Sequence, residues 1–463
     1  MSILNSIESA LGGLMAQQKA MEVTGQNVAN VNTPGYHRQE AVLVSRPTVQ
    51  IGGSLLTEAG TGIGNGVDAT TVRRYQNLFL QRQLLSSEGQ TGRWTAMSDS
   101  LQQVEQVIAP GQDIDLSSML DKFFGAWQTL SDNPEEMNNR LTVRTAAVNL
   151  TTALNSMASG LSSTQDQISG TLEMRVTTIN SLADRMAELN TQIGVAKSEG
   201  RAPNDLQDER DQILEQLTTM AGVSNLSNDD TNGIINIGGR ALVQGGTAFH
   251  VEWDSTGKQL AWETDGAKVN VQSGEIAGLY EVRDSIIPSY LQQLDNIASA
   301  MSSAVNNLHN NTLNPSGAVT MYGTPAGNFF TGTTAGGIAV ASNILTDAGN
   351  IASTSTAGAP GDGSLAKQIF NLHQQPLVGS LTLNQSVESV IGLIGNATST
   401  ASTNLKASQA LQTQVVNQLQ SETGVSLDEE MTNLLIYQRA YDASARVLTI
   451  ADQMLQTLIE KLG

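Results

Sequence analysis

The sequence predicts a mainly α-helical protein with a smaller β-rich insertion and a coiled-coil helix at each end. Three observations indicate this fold class. Apolar residues recur at steps of three and four at both ends of the chain. A helical period also runs from about residue 75 to residue 220. At residues 223–283 the pattern changes to short alternating runs rich in Val, Ile, Gly, Asn and Asp, which favours strands.

Composition sets the first limits on function. The chain has 463 residues, which at roughly 100–200 residues per domain indicates two to four domains. Its net charge is −20 and lies mostly in the middle of the chain, so we expect no nucleic-acid partner. It contains no cysteine, which excludes disulfides, thiolate metal sites and cysteine nucleophiles.

The sequence predicts neither a secretory signal peptide nor membrane insertion. The first cation is Lys19, so the N-terminus lacks the basic region of a signal peptide. No run of 18 or more apolar residues occurs in the sequence, which is the length that a membrane-spanning helix needs.

The N-terminal segment is predicted to be an amphipathic helix that ends at a turn. Six of the eight positions in its seam are apolar. Pro34 and Gly35 then predict a type II turn, because proline fixes φ at the first central position and glycine permits a positive φ at the second. Residues 40–72 alternate weakly and predict short strands, with a flexible turn at Gly60–Gly66 rather than a phosphate-binding loop.

The middle of the chain is predicted to alternate between helical and β-rich segments. Helices are expected at residues 75–108, 114–131, 135–200 with a break near Gly170, and 204–220. The β-rich segment carries three pairs that are typical of hairpin turns: Asn232-Gly233, Asp265-Gly266 and Ser273-Gly274. The later elements are a helix at about 284–310, loops with short strands at 311–362, and helices from Ser364 onwards.

The last helix carries a second seam. Nine of its eleven positions between Leu427 and Leu462 are apolar or aromatic. Ser426 with Glu429 three residues later predicts an N-cap and a capping box. A neighbouring apolar stripe makes the buried face wider than a two-stranded coiled coil needs. Each end of the chain therefore needs a partner, either the other end or neighbouring copies.

No constellation in the sequence indicates catalysis, a cofactor or a metal. Residues 228–233 resemble the first half of a calcium loop, but the twelfth position is Gly239 instead of Glu, so a polar hairpin turn is favoured. We therefore predict that the chain is not an enzyme and holds no cofactor. The histidines lack metal-ligand spacing and are assigned to the surface or to linkers: His37, His250, His309 and His373.

Both ends resemble the signatures of flagellar rod, hook and hook-associated axial proteins. The N-terminal match is Asn27-Val28-Ala29-Asn30-Val31-Asn32-Thr33-Pro34-Gly35-Tyr36, and the C-terminal match runs from Leu427 to Leu455. The next residues, His37-Arg38-Gln39, and the helical region 75–220 most resemble the FlgK family of hook-associated proteins. The chain departs from that family at His37, where serine is usual. It is also shorter than many members, which indicates a reduced outer domain.

The resemblance implies a structural subunit of the bacterial flagellum at the hook–filament junction, located outside the cell and exported without a cleaved signal peptide. The implied partners are copies of the chain in a ring of about eleven, the hook protein below, a second junction protein of the FlgL type above, a FlgN-type export chaperone on the C-terminal segment, and the type III flagellar export apparatus.

Other functions remain as alternatives. A flagellar hook or distal-rod protein would need a β-dominated middle, against which the helical period of residues 75–220 argues. An adhesin-like or enzymatic outer domain would lie at 223–362, where we find no catalytic constellation. A free-standing coiled-coil signalling protein would leave the Asn-Thr-Pro-Gly-Tyr turn unexplained.

We expect three domains and an assembly interface at the chain ends. The domains are a terminal coiled-coil assembly domain (1–39 plus 425–463), a helical rod-like domain (40–222 plus 363–424) and a β-rich outer domain (223–362). The predicted interface residues are Leu4, Ile7, Leu11, Leu14, Met21, Asn27, Asn30, Asn32, Thr33, Pro34, Gly35, Tyr36, Met431, Leu434, Tyr437, Tyr441, Leu448, Leu455, Ile459 and Leu462.

Two mechanical hypotheses follow for these ends. The terminal helices are expected to be poorly ordered until they pack in the assembly, because an isolated helix does not offset an ordering cost of about 1–2 kcal/mol per residue. The asparagines Asn27, Asn30 and Asn32 either share hydrogen bonds between stacked subunits or stabilise the helix end and the turn locally.

Overall fold

The structure is a computed structural model that describes residues 3–46, 66–108, 115–225 and 233–462. It is mainly helical with a few small antiparallel sheets, as predicted. The helices are α1 (Ile3–Ala29), α2 (Leu78–Ile108), α3 (Leu116–Asp132), α4 (Met137–Ser198), α5 (Asn204–Ala221), α6 (Gly274–Glu281), α7 (Ile287–His309), α8 (Ser342–Thr346), α9 (Ser364–Asn371), α10 (Leu383–Thr423) and α11 (Leu427–Leu462).

Within the described residues, the strands form four small sheets. Most of the strands lie in the two regions for which the sequence predicts strands, 40–72 and 223–283. A hairpin pairs β1 (Gln39–Ser45) with β2 (Val67–Arg74), with a register shift after Val42. The others are the antiparallel sheet β3 (Ser224–Asn225), β4 (Ile234–Ile237), β5 (Arg240–Gln244) and β6 (Thr247–Ala248), the hairpin β7 (Val251–Asp254) with β8 (Gln259–Trp262), and the pair β9 (Phe330–Thr331) with β10 (Ala339–Val340).

The predicted break near Gly170 is wrong, because α4 is one continuous helix of 62 residues. At 1.5 Å per residue it is about 90 Å long. Glycine in a helix interior costs roughly 1 kcal/mol relative to alanine. Ile168 and Leu172 are buried on either side of Gly170, so packing offsets this local cost.

The predicted hairpin turn at Ser273-Gly274 is also wrong. Ser273 has extended backbone and precedes α6, which continues through a π-helical turn at Val282–Ile286 into α7. The helical region therefore begins at Gly274, nearly three turns before the predicted residue 284. The buried residues Ile276, Leu279 and Val282 follow the three-residue spacing of one helix face, which explains why this segment is helical.

One hydrophobic core extends from Leu85 on α2 to Ala401 on α10 and includes residues of the β-rich segment. Aromatic rings form its densest part, where Phe329 and Phe330 pack against Phe123 and Trp127. The core holds α2–α5, α7 and the small sheets in one body. That body carries the hairpin β1–β2 and the two terminal helices on which the candidate site is built.

The terminal helices α1 and α11 pack against each other, which confirms the predicted pairing of the two chain ends. Helix α1 also contacts β1 and β2. A small apolar cluster lies at this junction, where Ala20, Val23 and Ala41 pack with Val72 and Tyr437. The chain ends therefore form a separate helical pair that is attached to the body through the β1–β2 hairpin.

Candidate assembly interface

The contact between α1 and α11 is built from small residues. Ala16 and Ala20 are buried on α1, and a Cβ atom at Gly13 would lie 2.9 Å from the Ser444 Oγ atom on α11. Small side chains let two helix backbones approach closely. The contact between the chain ends therefore does not use the bulky seam that the sequence indicates for α1.

That bulky seam lies on the opposite side of α1. At 100° per residue, positions 7, 11, 14 and 21 point roughly opposite to the buried Ala16, Ala20 and Val23. Leu11 is 47% exposed, and Ile7, Leu14 and Met21 are half-buried. The side chain of Leu4 lies outside the described residues. Within the chain, the predicted seam is thus covered only in part, and Leu11 is its most exposed described residue.

Helix α11 carries apolar side chains around most of its circumference. Leu434, Tyr437, Leu448 and Leu455 are half-buried towards α1, while Ile459 is 70% exposed. The other exposed apolar side chains are Leu427, Met431, Leu435, Ile436, Tyr441, Val447, Ile450, Met454 and Leu458. Charged residues such as Arg439, Asp442 and Arg446 occupy another part of the helix surface. Large apolar side chains that line a helix are normally buried against a partner. Since α1 covers only one side, the rest of α11 is available to other chains.

The turn after α1 has the predicted type II geometry. Gly35 has a φ of 75°, and the Tyr36 amide donates to the Thr33 carbonyl at 3.2 Å. Gln212 on α5 donates to the Pro34 carbonyl at 2.7 Å and fills the space beside Gly35. The turn is therefore fixed to the helical body on one side, while Asn32, Thr33 and Pro34 remain exposed.

Within the chain, Asn30 acts locally at the helix end, as one hypothesis expects, whereas Asn27 joins α1 to β1 and to the start of α11. Asn27 is buried, and its amide donates to the Gln39 carbonyl at 2.8 Å and to Glu430 at 3.0 Å. Its carbonyl oxygen accepts from the Gln39 amide at 3.0 Å and from the Tyr36 hydroxyl at 2.9 Å. The Asn30 amide donates to the Gln26 carbonyl.

Glu430 is the central residue of this network, and the sequence reasoning missed it. It is buried and accepts from Asn27 on α1 and from the Arg38 Nε atom at 2.7 Å. Arg38 also lies 3.0 Å from the exposed Glu429. Burial, with Asp205, Asp208 and Glu430 nearby, raises the pKa of Tyr36 to about 12. Tyr36 therefore keeps its proton and donates to Asn27 throughout the physiological pH range.

A second buried ion-pair cluster attaches the hairpin to α5. Arg74 at the end of β2 contacts Asp208 at 2.7 Å and Asp211 at 2.8 Å, and all three side chains are more than nine-tenths buried. His37 lies 2.8 Å from the same Asp208 carboxylate. Gln39 donates to Asp205 at 3.3 Å. We call the groups around Glu430 and those around Asp208 together the polar joint.

The sequence offered only an indirect signal for the polar joint. Arg38 and Glu430 are 392 positions apart, and Arg74 and Asp208 are 134 apart. Acidic residues in the first turn of a helix are usually explained by the helix dipole, so the position of Glu430 did not indicate a distant partner. The apolar period of α5 hid the fact that Asp208 and Asp211 lie on its buried face.

The assignment of all four histidines to surfaces or linkers is wrong for His309. This residue is fully buried at the end of α7, where its Nδ1 atom donates to the Gly327 carbonyl at 2.8 Å. Its Nε2 atom accepts from the Ala352 amide at 2.9 Å. Burial lowers the pKa of His309 to about 4. A neutral imidazole with one donor and one acceptor satisfies two loop backbone groups, which explains a histidine in the core.

Within the described ranges, no group of His, Asp and Glu side chains could hold a metal ion. In the same ranges, no helix is both long and apolar enough to cross a lipid bilayer. Most of the Gly60–Gly66 turn and of the calcium-loop-like segment at 228–233 lies outside the described residues.

Comparison with known proteins connects both chain ends and the helical body to flagellar proteins. Residues 101–330 match the family model of the FlgK helical domain, described as "Flagellar hook-associated protein FlgK helical domain". Residues 7–37 match the flagellar basal body rod protein family. Residues 417–461 match the C-terminal family of flagellar basal body rod FlgEFG proteins.

Two full-length relatives support the same assignment. The flagellar hook-associated protein 1 of Bacillus subtilis is 28% identical over 521 aligned positions, covering 100% of this chain and 99% of the relative. The flagellar hook-associated protein 1 of Escherichia coli is 25% identical and covers 98% of this chain and 99% of its own length. The chain belongs to the FlgK family.

The fold agrees with that of a solved FlgK structure. The flagellar hook junction protein FlgK from Burkholderia pseudomallei superimposes with a TM-score of 0.64 at 16% sequence identity. The match covers 74% of this chain and 100% of the other. This FlgK-family chain is therefore a structural component of the flagellum with the helical fold of its family.

Proposed function

We propose that this FlgK-family chain is a non-enzymatic structural subunit that connects the flagellar hook to the filament by assembling as a ring of about eleven copies. One observation carries the proposal: α11 exposes ten large apolar side chains among its described residues, although α1 packs along one side of it. In the predicted seam of α1, Leu11 is 47% exposed, and Ile7, Leu14 and Met21 are half-buried. A helical pair with apolar surface on both outer sides fits the interior of a tube in which each pair has neighbours on both sides.

The energetics favour burial of these surfaces between copies. Covering one Leu, Ile or Met side chain contributes roughly 1.5–3 kcal/mol relative to leaving it in water. Ten large apolar side chains are exposed on the described part of α11, whereas an ordinary monomer surface exposes such residues mostly singly. Heterologous contacts that close on themselves produce rings, which agrees with the proposed cyclic arrangement.

The proposed interface consists of the residues at both chain ends that the sequence indicates. The interface residues whose side chains are exposed or half-buried in the single chain form the contact with neighbouring copies. The buried Asn27 acts indirectly, through the polar joint. The proposed organisation keeps a terminal assembly domain (1–39 plus 425–463), a helical domain (40–222 plus 363–424) and an outer domain (223–362).

The partners follow from the same assembly. The hook protein would lie below the ring and a second junction protein of the FlgL type above it. Before export, a FlgN-type chaperone would cover the apolar C-terminal helix, and the flagellar type III apparatus would carry the chain out of the cell. The exposed apolar side chains of α11 support this proposal, because they need a cover before assembly.

A pair of matched substitutions tests the interface. Leu11→Asp places a charge in the partly covered seam of α1, and Leu345→Asp places it on α8, where the leucine is also 47% exposed. In cells that lack the native gene, we expect Leu345→Asp to restore filaments. We expect Leu11→Asp to reduce the filament-bearing fraction at least about tenfold, since a buried unpaired charge costs several kcal/mol.

Immunoblots of the culture medium control for folding and export of both variants. Filaments of normal number with Leu11→Asp would contradict the proposed interface. Loss of filaments with both variants, despite normal export, would show that the outer region around α8 matters as much for filament formation as the chain ends. That result would also contradict the proposed interface.

A further inference from the structure

The sulfur atoms of this chain are distributed in an unequal way. The chain has 14 methionines and no cysteine, so its thioethers are its only sulfur groups. Five methionines are at most 9% exposed and belong to the body: Met97, Met157, Met186, Met220 and Met301. Four others among the described residues are more than half exposed: Met15, Met174, Met431 and Met454.

Three of the four exposed methionines lie on the terminal helices. Met15 is 61% exposed and lies one turn from Leu11 on α1. Met431 is 51% exposed on α11. Its neighbours one turn before and after, Leu427 and Leu435, are 48% and 51% exposed.

Met454 occupies a similar position further along α11. It is 54% exposed and lies between Ile450 and Leu458, which are 51% and 44% exposed. All three thioethers thus belong to apolar stripes that the chain itself leaves uncovered. Met174, at 65% exposed, lies on α4, far from either terminal helix in sequence.

From this distribution we propose that Met15, Met431 and Met454 form a modification site, at which peroxide oxidation to methionine sulfoxide blocks assembly of the chain. The inference rests on the proposed function, because it takes the terminal helices as the assembly surface. A thioether is soft and apolar and adapts to irregular packing, whereas a sulfoxide is polar and chiral. Oxidation therefore converts a surface that favours burial into one that resists it.

The reaction needs only hydrogen peroxide. The sulfur lone pair attacks one peroxide oxygen, the O–O bond breaks and an S–O bond forms, while the second oxygen leaves as water after proton transfer. Sulfur loses two electrons and the peroxide gains them. Methionine sulfoxide reductases reverse the change. The absence of cysteine removes the thiol that would otherwise compete for the oxidant.

The site is open only before assembly. In the ring, neighbouring copies cover the same side chains, so the thioethers are protected from the oxidant. The modification would therefore act on newly exported or unassembled chains and would leave completed flagella unaffected.

The first test measures which sulfur atoms react. The purified full-length chain is treated with hydrogen peroxide, and peptide mass spectrometry follows each methionine with time. We expect Met15, Met174, Met431 and Met454 to oxidise at least about tenfold faster than the buried Met157 and Met301, a difference of about 1.4 kcal/mol in activation free energy. Equal rates for the terminal and buried sets would overturn the proposal.

The second test measures the consequence. Oxidised and untreated chains are added to hooks isolated from cells that lack the gene, and bound chain is quantified. We expect oxidation to lower binding at least about tenfold, and treatment with methionine sulfoxide reductases to restore it. The triple variant Met15→Leu, Met431→Leu, Met454→Leu should bind hooks to the same extent with and without peroxide treatment, because it has no thioether at these three positions. Met174→Leu should remain as sensitive as the native chain.

The outcomes separate this inference from the proposed function. Failure of the untreated chain to bind hooks would contradict the proposed function, and retention on a hydrophobic column then tests the modification alone. Oxidation should lower that retention in the native chain but not in the triple variant. Unchanged retention, or normal hook binding after complete oxidation of the three residues, would overturn the proposal.

Discussion

At the scale of single residues, the polar joint combines charges that are costly to bury with partners that satisfy them. Glu430 accepts from Asn27 and Arg38, and these three groups belong to the two ends of the chain. Removing one member of a buried pair leaves the other charge buried without a partner, which strongly lowers the free energy of unfolding. The joint therefore fixes where α11 begins relative to α1 and β1.

We expect Glu430→Ala to destabilise the joint by about 2 kcal/mol. The loss is smaller than for a fully buried pair, because Arg38 is partly exposed and still pairs with Glu429 in the variant. Amide hydrogen exchange at the end of α1 and the start of α11 measures the effect. Glu429→Ala is the matched control, and its effect should stay below about 0.5 kcal/mol, since Glu429 is 62% exposed. Equal exchange in the two variants would contradict the role of Glu430.

His309 predicts a specific dependence of stability on pH. Its pKa is about 4 in the folded chain and 6.5 when unperturbed, so below pH 6.5 the unfolded chain binds a proton that the folded chain does not. The stability contributed by neutral His309 is complete above about pH 6.5 and decreases as the pH falls towards 4. Between about pH 7.5 and pH 5 the loss is about 2 kcal/mol.

Urea unfolding of the native chain and of His309→Gln at both pH values measures this loss. The variant should be less stable at pH 7.5, because it disturbs the bonds to Gly327 and Ala352, but its stability should change less with pH. The same pH dependence in both chains would show that His309 does not titrate as described.

At the scale of elements, two glycines illustrate how helix packing decides the effect of one methyl group. Gly170 on α4 has no atom within 4 Å of an added Cβ, whereas a Cβ at Gly92 on α2 would lie 2.2 Å from the Thr219 carbonyl oxygen. Thermal unfolding should show that Gly170→Ala stabilises the chain by roughly 0.5–1 kcal/mol and that Gly92→Ala destabilises it by about 2 kcal/mol. The opposite order would contradict the close approach of α2 and α5.

The sequence was sufficient for the elements but not for their contacts. The helical periods located α2, α3 and α5 within a few residues, and Pro34-Gly35 predicted the type II turn. The period also located the bulky seam of α1, but it did not indicate which side meets α11. Small residues such as Gly13 and Ala16 carry no hydrophobic signal, although they decide how closely two helices approach.

Long-range polar contacts could not be predicted from the sequence either. The partners of Asn27 and Arg38 lie about 400 residues further along the chain, and single-sequence patterns contain no information on such pairs. The low helix propensity of Gly170 predicted a break that the structure does not have, because tertiary packing keeps α4 continuous at this position.

At the scale of the whole molecule, charge and apolar surface are separated. The body carries most of the net charge of −20, while the terminal helices have a small net charge and many exposed apolar side chains. An anionic body resists non-specific association, and nearly neutral ends can pack closely. The expectation that these ends become fully ordered only in the assembly remains a prediction, for which hydrogen exchange of α11 in the free chain is the measurement.

The most direct test of the central claim is electron microscopy of cells that lack this gene, with flagellin assayed in the culture medium. We expect complete hooks without filaments and flagellin released into the medium, because filament subunits would have no junction on which to assemble. Truncated or missing hooks would move the chain to the hook or the distal rod. Normal filaments on working flagella would contradict its role as the junction between hook and filament.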